Sequence, residues 1–198
     1  METTRRSLHG VAELLLSGPQ FRRSGTIKLR ALPGGFGTRM EPDLRVEGCW
    51  LVAGTARWPL AGTYAEVGRA AEIEVGAPEG VYSDGSGVMP GDLIKIEASA
   101  ADAIAHCLAV GDAALYAFAP SADRVLWPEH FDLAITLDEV NYGVSPGDGA
   151  IPEPYAYVGP WTPRKGAFWN MPFGAARPLR LLTEVPAFFE EGRALSSK

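Results

Sequence analysis

Residues 131–138 read FDLAITLD, a stretch in which large apolar residues alternate with polar or small ones. Successive side chains of a β-strand point to opposite faces of its sheet, so this alternation predicts a half-buried strand. One face would carry Phe131, Leu133, Ile135 and Leu137, and the other Asp132, Ala134, Thr136 and Asp138.

Other short segments predict partner strands for this one. Residues 25–32 alternate in the same way, and residues 44–46 and 50–52 flank a turn as a hairpin. A short strand at residues 58–60 could follow that hairpin. Strands are also predicted at residues 155–158 and 167–171, both rich in aromatic residues.

Helical spacing of apolar residues predicts a first helix over residues 7–17. Gly18 and Pro19 follow it directly, and this pair is expected to end the helix. Thr63 and Glu66 have the spacing of a capping box and predict a short second helix.

The longest predicted helix covers residues 101–118 and stops before Pro120. Ser99 and Asp102 have the same spacing as Thr63 and Glu66, and they are interpreted as a second cap at the start of this helix. Thr183 is expected to cap a last helix near the end of the chain.

These elements predict an α+β fold, with a mainly antiparallel, curved sheet and helices packed on one face. Residues 1–198 are expected to form a single domain. The order α-β-β-β-α occurs twice, which leaves open a tandem duplication of residues 1–98 and 99–198. One local echo, residues 87–92 against 143–148, supports it, although two similar turns would explain the match as well.

Composition limits the classes of function. The net charge is −6, so the broad basic face that nucleic acid requires is not expected. We also expect no membrane-spanning run and no signal-peptide core. Cys49 and Cys107 lie far apart, which fits a reducing compartment, and a cytoplasmic location is predicted.

Candidate catalytic residues lie at the start of the 131–138 strand. His130 has Glu129 before it and Asp132 two positions after it. On a strand, His130 and Asp132 would share a face roughly 7 Å apart. His130 could then move a proton while Asp132 or Glu129 orients or tunes it. The alternative is a structural histidine that bonds a backbone carbonyl.

Aromatic residues are dense in the second half of the chain, and prolines between them favour edges and loops. Tyrosine and tryptophan commonly line pockets and interfaces. Candidate ligand-binding residues are Tyr142, Tyr155, Tyr157, Trp161 and Trp169. The alternative is that these rings belong to the core.

No metal site or organic cofactor is predicted. His9 and Glu13 have i, i+4 spacing, but such a pair is common on a solvated helix face. The glycine-rich residues 34–38 and 83–87 are not followed by a clear helix, so they are weak candidates for a phosphate cradle.

The leading hypothesis is therefore a protein that binds a small organic molecule in an aromatic pocket. It could be an acid–base enzyme that needs no cofactor. The alternative is a non-catalytic interaction protein, such as a homodimer that uses its aromatic C-terminal strands as the interface.

Several phrases support a resemblance: Leu8-His9 ahead of a glycine-rich strand, residues 127–134, residues 154–161 and the triplet Phe168-Trp169-Asn170. In these the chain resembles uncharacterised bacterial proteins, mainly from high-GC actinobacteria. Fourteen arginines against four lysines suit such a source. More remotely, residues 131–134 and the aromatic C-terminal segment resemble a larger bacterial family of unknown function. Neither resemblance implies an activity or a catalytic residue.

Overall fold

The computed structural model describes residues 1–197, and its first five strands form an antiparallel meander. They are β1 Leu29–Leu32, β2 Gly35–Thr38, β3 Arg45–Glu47, β4 Trp50–Ala53 and β5 Ala56–Pro59. A separate two-stranded sheet follows, made of β6 Gly62–Thr63 and β7 Leu93–Ile94. A second meander then contains β8 Val125–Trp127, β9 Asp132–Leu137, β10 Val140–Ser145, β11 Tyr155–Pro160 and β12 Ala175–Pro178.

The two meanders join through their first strands into one ten-stranded sheet. β1 pairs with β8 where Leu29 lies opposite Leu126, and both side chains are fully buried. The strand order is therefore β12-β11-β10-β9-β8-β1-β2-β3-β4-β5, with every neighbouring pair antiparallel.

The helices cover this sheet and bury its apolar residues. They are α1 Glu2–Val11, a π-helical turn Ala12–Ser17, α2 Gly18–Ser24, α3 Tyr64–Ala70, α4 Ala98–Phe118, the 3-10 turn Leu179–Leu181 and α5 Val185–Ser196. α4 crosses the junction and packs on β1, β2, β9 and β10, while α5 packs on β10 and β11. The predicted α+β class with an antiparallel sheet is confirmed.

α4 is the one helix among residues 1–197 that is long and apolar enough to cross a membrane. Half of that apolar window is buried inside the protein, and Leu108 and Leu115 are fully buried in the shared core. These are also the properties of a core helix in a soluble protein.

The sequence predicted that the N-terminal helix ends at Gly18 and Pro19, but in the structure it continues. α1, the π-helical turn and α2 are continuous from residue 2 to residue 24. Proline has no N–H to donate, but the Leu14 carbonyl five residues before it accepts instead from the Gly76 N–H at 3.0 Å. The unpaired carbonyl is thus satisfied by a neighbouring segment, and the helix continues through the proline.

Two local sequence signals, a hairpin and a capping box, predicted their elements correctly. The hairpin of β3 and β4 is confirmed, as is the capping box of Thr63 and Glu66. The cap predicted at Ser99 and Asp102 is wrong, because α4 begins at Ala98 with no side-chain cap.

Tertiary contacts explain the early start of α4. The Thr4 hydroxyl of α1 accepts a hydrogen bond from the Glu97 N–H at 3.0 Å and fixes the residue before the helix. The predicted Thr183 cap of the last helix is also wrong. α5 begins at Val185, one residue later than that cap requires, and Glu184 occupies the N-cap position.

Four strands of the main sheet were missed, namely β2, β8, β10 and β12, and one predicted strand is absent. β2 and β10 contain glycine, which is depleted in strands, and β8 has three residues only. Residues 167–171 form turns with a single bridge between Met171 and Gly174, and the strand that follows is β12.

In both halves of the possible duplication, the segment between the flanking helices contains a five-stranded meander, whereas the sequence predicted three strands. The sequence echo falls on unlike structure, since residues 87–92 lie in a loop and residues 143–145 end β10. The duplication stays a prediction.

Gly18→Ala tests how the N-terminal helix is held. An alanine Cβ would lie 1.6 Å from the Gly76 carbonyl oxygen, so the 73–77 segment must move. Overpacking of this kind should lower the free energy of unfolding by about 2–3 kcal/mol, although helix propensity alone favours alanine by about 1 kcal/mol. Urea denaturation measures the difference. The control is Gly91→Ala, where a Cβ meets open space; equal stabilities of the two variants would contradict this packing.

Candidate functional site

A cavity of about 910 Å³ lies where β9 begins, β10 ends and β11 begins. Its walls come from these strands, from the first turns of α1, from residues 84–86 and from the aromatic residues 161 and 173. The volume is that of a small-molecule site.

Strand alternation decides which side chains face the cavity. Val144 and Val158 pack against glycines of α4 and α5, so they point to the helical face of the sheet. Their neighbours along the strands therefore point to the opposite face. There Tyr157 of β11 lies across Gly143 of β10, where a Cβ would be 2.5 Å from the tyrosine ring.

Asp132 is the buried charge of this face. Its side chain belongs to the first residue of β9 and is 7% exposed. Tyr157 donates a hydrogen bond from its hydroxyl to Asp132 Oδ2. Asp132 Oδ1 is also buried and has no hydrogen-bond partner within residues 1–197.

Burial raises the pKa of Asp132 from 3.8 to about 6. The hydrogen bond from Tyr157 and the nearby His130 lower this pKa, whereas the Glu129 charge raises it. Burial and the Asp132 charge raise the pKa of Tyr157 well above 10, so the tyrosine stays a donor. A carboxyl group with a pKa near neutrality can both give and accept a proton.

A second tyrosine–carboxylate pair supports the loop beyond β10. The Tyr155 hydroxyl donates to Asp148 Oδ2 at 2.6 Å. Asp148 Oδ1 accepts from the N–H groups of Ala150 and Ile151, both at 2.7 Å. This carboxylate is satisfied by the protein itself and holds the loop in place.

The sequence predicted that His130 and Asp132 share a strand face, but in the structure they do not. It lies in the β8–β9 turn, because Phe131 adopts a left-handed conformation with φ of +54° before the strand starts. His130 is exposed at the cavity wall, while Glu129 is half-buried with its Oε2 atom buried and unpartnered within the described chain. The structure thus brings all three predicted residues to one cavity, with Asp132 as the buried member.

One face of α1 covers this turn, and the sequence prediction missed it. His9 Nε2–H donates to the Pro128 carbonyl at 2.7 Å, and its ring stacks on Phe131 with centroids 5.6 Å apart. Burial lowers the pKa of His9, while the neighbouring Glu13 opposes that shift. His9 therefore fixes the β8–β9 turn.

Glu13 follows His9 by four residues, but it does not lie on a solvated face. It is 4% exposed at the start of the π-helical turn, and its Oε2 accepts from the Ser86 N–H at 2.9 Å. The His9–Glu13 spacing was a signal for this cluster, although sequence alone could not show that loop 84–86 buries it.

Arg5 lies one turn before His9 and also lines the cavity. A Cβ on Gly147 would lie 2.8 Å from Arg5 Nη1, so the guanidinium packs on the loop after β10. Nη1 is buried with no hydrogen-bond partner in residues 1–197. None of the ion pairs among those residues includes Arg5.

The predicted aromatic residues divide into two groups. Tyr155, Tyr157 and Trp161 line the cavity, and Trp161 is 63% exposed at its rim. Tyr142 points to the opposite face of the sheet, where it packs on Phe118 and Phe189 in the core. Trp169 packs against Phe168 and does not line the cavity. For Tyr142 and Trp169 the predicted ligand contact is replaced by packing.

Within residues 1–197, no group of three or more His, Cys, Asp or Glu side chains is placed so that it could hold a metal ion. Comparisons with protein-family models, curated proteins and solved structures found no match to the chain. The resemblance to actinobacterial proteins of unknown function stays a prediction.

Asp132→Asn should stabilise the protein at alkaline pH. Because the folded state raises this pKa, it holds the proton more tightly than the unfolded chain between about pH 4 and pH 6. Stability therefore falls as pH rises through that window, by about 3 kcal/mol for a shift from 3.8 to about 6.

Thermal unfolding of Asp132→Asn should show a higher Tm than wild type at pH 8 and no gain near pH 4. The control is Asp84→Asn, which alters an exposed carboxylate at the same cavity. A pH-independent change in Asp132→Asn would contradict the assigned pKa.

Proposed function

We propose that the protein binds a small organic molecule in this cavity, and that Asp132 exchanges a proton with it. The observation that carries the proposal is the state of Asp132: a buried carboxylate with one oxygen held by Tyr157 and the other without a protein partner. An unpaired buried charge costs stability, and such costs are concentrated at functional sites.

The roles differ from those that the sequence suggested. Asp132 would carry the proton, with its pKa near 6. Tyr157 would hold the carboxylate in position, while His130 at the exposed wall would tune its charge.

The aromatic rim supports the binding of an organic body. Tyr157 meets Phe173 edge to face with ring centroids 6.3 Å apart, and Trp161 lines the same cavity. Aromatic walls with a few polar groups are typical of small-molecule sites. We therefore assign the exposed Trp161 to the ligand wall, and the homodimer interface stays a prediction.

The free, separated cysteines support a cytoplasmic role.

A library of neutral aromatic fragments provides the test. Amide chemical shifts of 15N-labelled protein should change around residues 131–133, 143–145 and 155–159 when a fragment binds. Shifts confined to the second cavity, beside Tyr64 and Lys95, would contradict the proposal.

Two variants separate the roles of Asp132 and His130. For fragments that carry a hydrogen-bond donor, Asp132→Asn should weaken binding about tenfold, because it removes a desolvated charge. His130→Ala should change the Kd less than about threefold, because this side chain is exposed. Titrations that follow the amide shifts give both values. The reverse order would restore His130 as the principal group.

A further inference from the structure

The charged side chains around the cavity differ in how the protein satisfies them. Arg6 donates to the carbonyl oxygens of Ser86 and Gly87, and Arg164 donates to that of Ser196 at 2.6 Å. Asp148 accepts three hydrogen bonds. These groups shape the wall and have partners already.

Three charged side chains of the lining keep a buried atom without a partner in the described chain. They are Arg5 through Nη1, Glu129 through Oε2 and Asp132 through Oδ1. One is positive and two are negative, and Arg5 forms an ion pair with neither carboxylate. The cavity thus has opposite charges that the fold holds apart.

Their placement separates the charges along α1. Arg5 packs on Gly147 after β10, whereas His9, one turn later, contacts the β8–β9 turn that contains Glu129. Four residues of helix rise about 6 Å. Arg5 thus reaches the cavity at a different loop from the turn that contains Glu129, and no ion pair joins it to Glu129 or Asp132.

Charge compensation then defines the ligand. A cation alone would leave Arg5 unpaired, and an anion alone would meet the repulsion of Asp132 and Glu129. A molecule with both charges satisfies all three groups at once, and burying charges is favourable only when they are paired. We infer that the ligand is a small zwitterion of the amino-acid type, with its anionic group on Arg5 and its ammonium group on Asp132 and Glu129.

This inference rests on the proposed function and names its ligand class. In the bound state Arg5 would contact a carboxylate, a pairing that a guanidinium makes with two parallel hydrogen bonds. The ammonium would lie near Tyr157, which adds a cation–π contact. The rest of the ligand would face Trp161 and Phe173.

The test uses isothermal titration with the twenty proteinogenic amino acids, 4-aminobutanoate and 6-aminohexanoate. The tightest binder is then compared with the matching amine, which lacks the carboxylate, and the matching acid, which lacks the ammonium. The zwitterion should bind at least tenfold more tightly than either. An amine or an acid that binds equally well overturns the inference, as does the absence of binding by every zwitterion.

Variants assign each charge to its partner. Arg5→Met should weaken the zwitterion and the acid at least tenfold and leave the amine unchanged, while Arg5→Lys, which keeps the charge, should retain part of the affinity. Asp132→Asn should weaken the zwitterion and the amine and leave the acid unchanged or tighter. Equal losses for all three ligands in Arg5→Met would overturn the assignment, and unfolding curves confirm that each variant is folded.

Neutral aromatic fragments, mapped on the same samples, separate this inference from the proposed function. Fragments that bind in the cavity while no zwitterion does would refute the ligand class and leave the small-molecule function standing. If neither binds there, both are refuted.

Discussion

The hydrogen bond from Tyr157 to Asp132 joins two strands of the sheet at the point where the cavity opens. It holds a carboxylate in a position where burial opposes its charge, and it leaves one oxygen of that carboxylate without a protein partner. The bond needs Tyr157 flat against β10, and Gly143 provides that space. The turn before β9 must also deliver Asp132 at the first residue of its strand, which Phe131 achieves by its left-handed conformation.

The N-terminal helix completes the site from outside the sheet. Its continuous course past Pro19 and its close approach to Gly76 fix the helix. Arg5 and His9 of α1 and Glu13 of the π-helical turn then contact three different loops. Each contact joins residues far apart in sequence. The site therefore depends on the whole fold, although only a few of its side chains are suited to touch a ligand.

Local patterns in the sequence were enough for the fold class and for several elements. The alternation in β9, the hairpin of β3 and β4 and the capping box at Thr63 depend on neighbouring residues alone, so they could be predicted. The glycine-containing strands β2 and β10, the passage through Pro19 and the start of α4 depend on distant partners. Nothing in one sequence states those partners.

The site shows the same division. Glu129, His130 and Asp132 were found because they are adjacent in the chain, and the cavity contains all three. Their roles followed from burial, which sequence did not show: His130 is exposed and Asp132 is not. Tyr142 was named as a ligand-binding candidate although it packs in the core, because β10 was not recognised as a strand. Arg5 was not among the candidate site residues, since a basic pair near a chain end fits a solvated helix end as well, and its approach to Gly147 is not visible in the sequence.

A pH titration of the Asp132 carboxyl 13C resonance, in wild type and in Tyr157→Phe, tests the central claim most directly. Wild type should titrate near pH 6, and the variant should titrate at a higher pH, because the lost hydrogen bond favours the charged form. A midpoint near pH 4 in both proteins would show that Asp132 is an ordinary solvated carboxylate and would contradict the account.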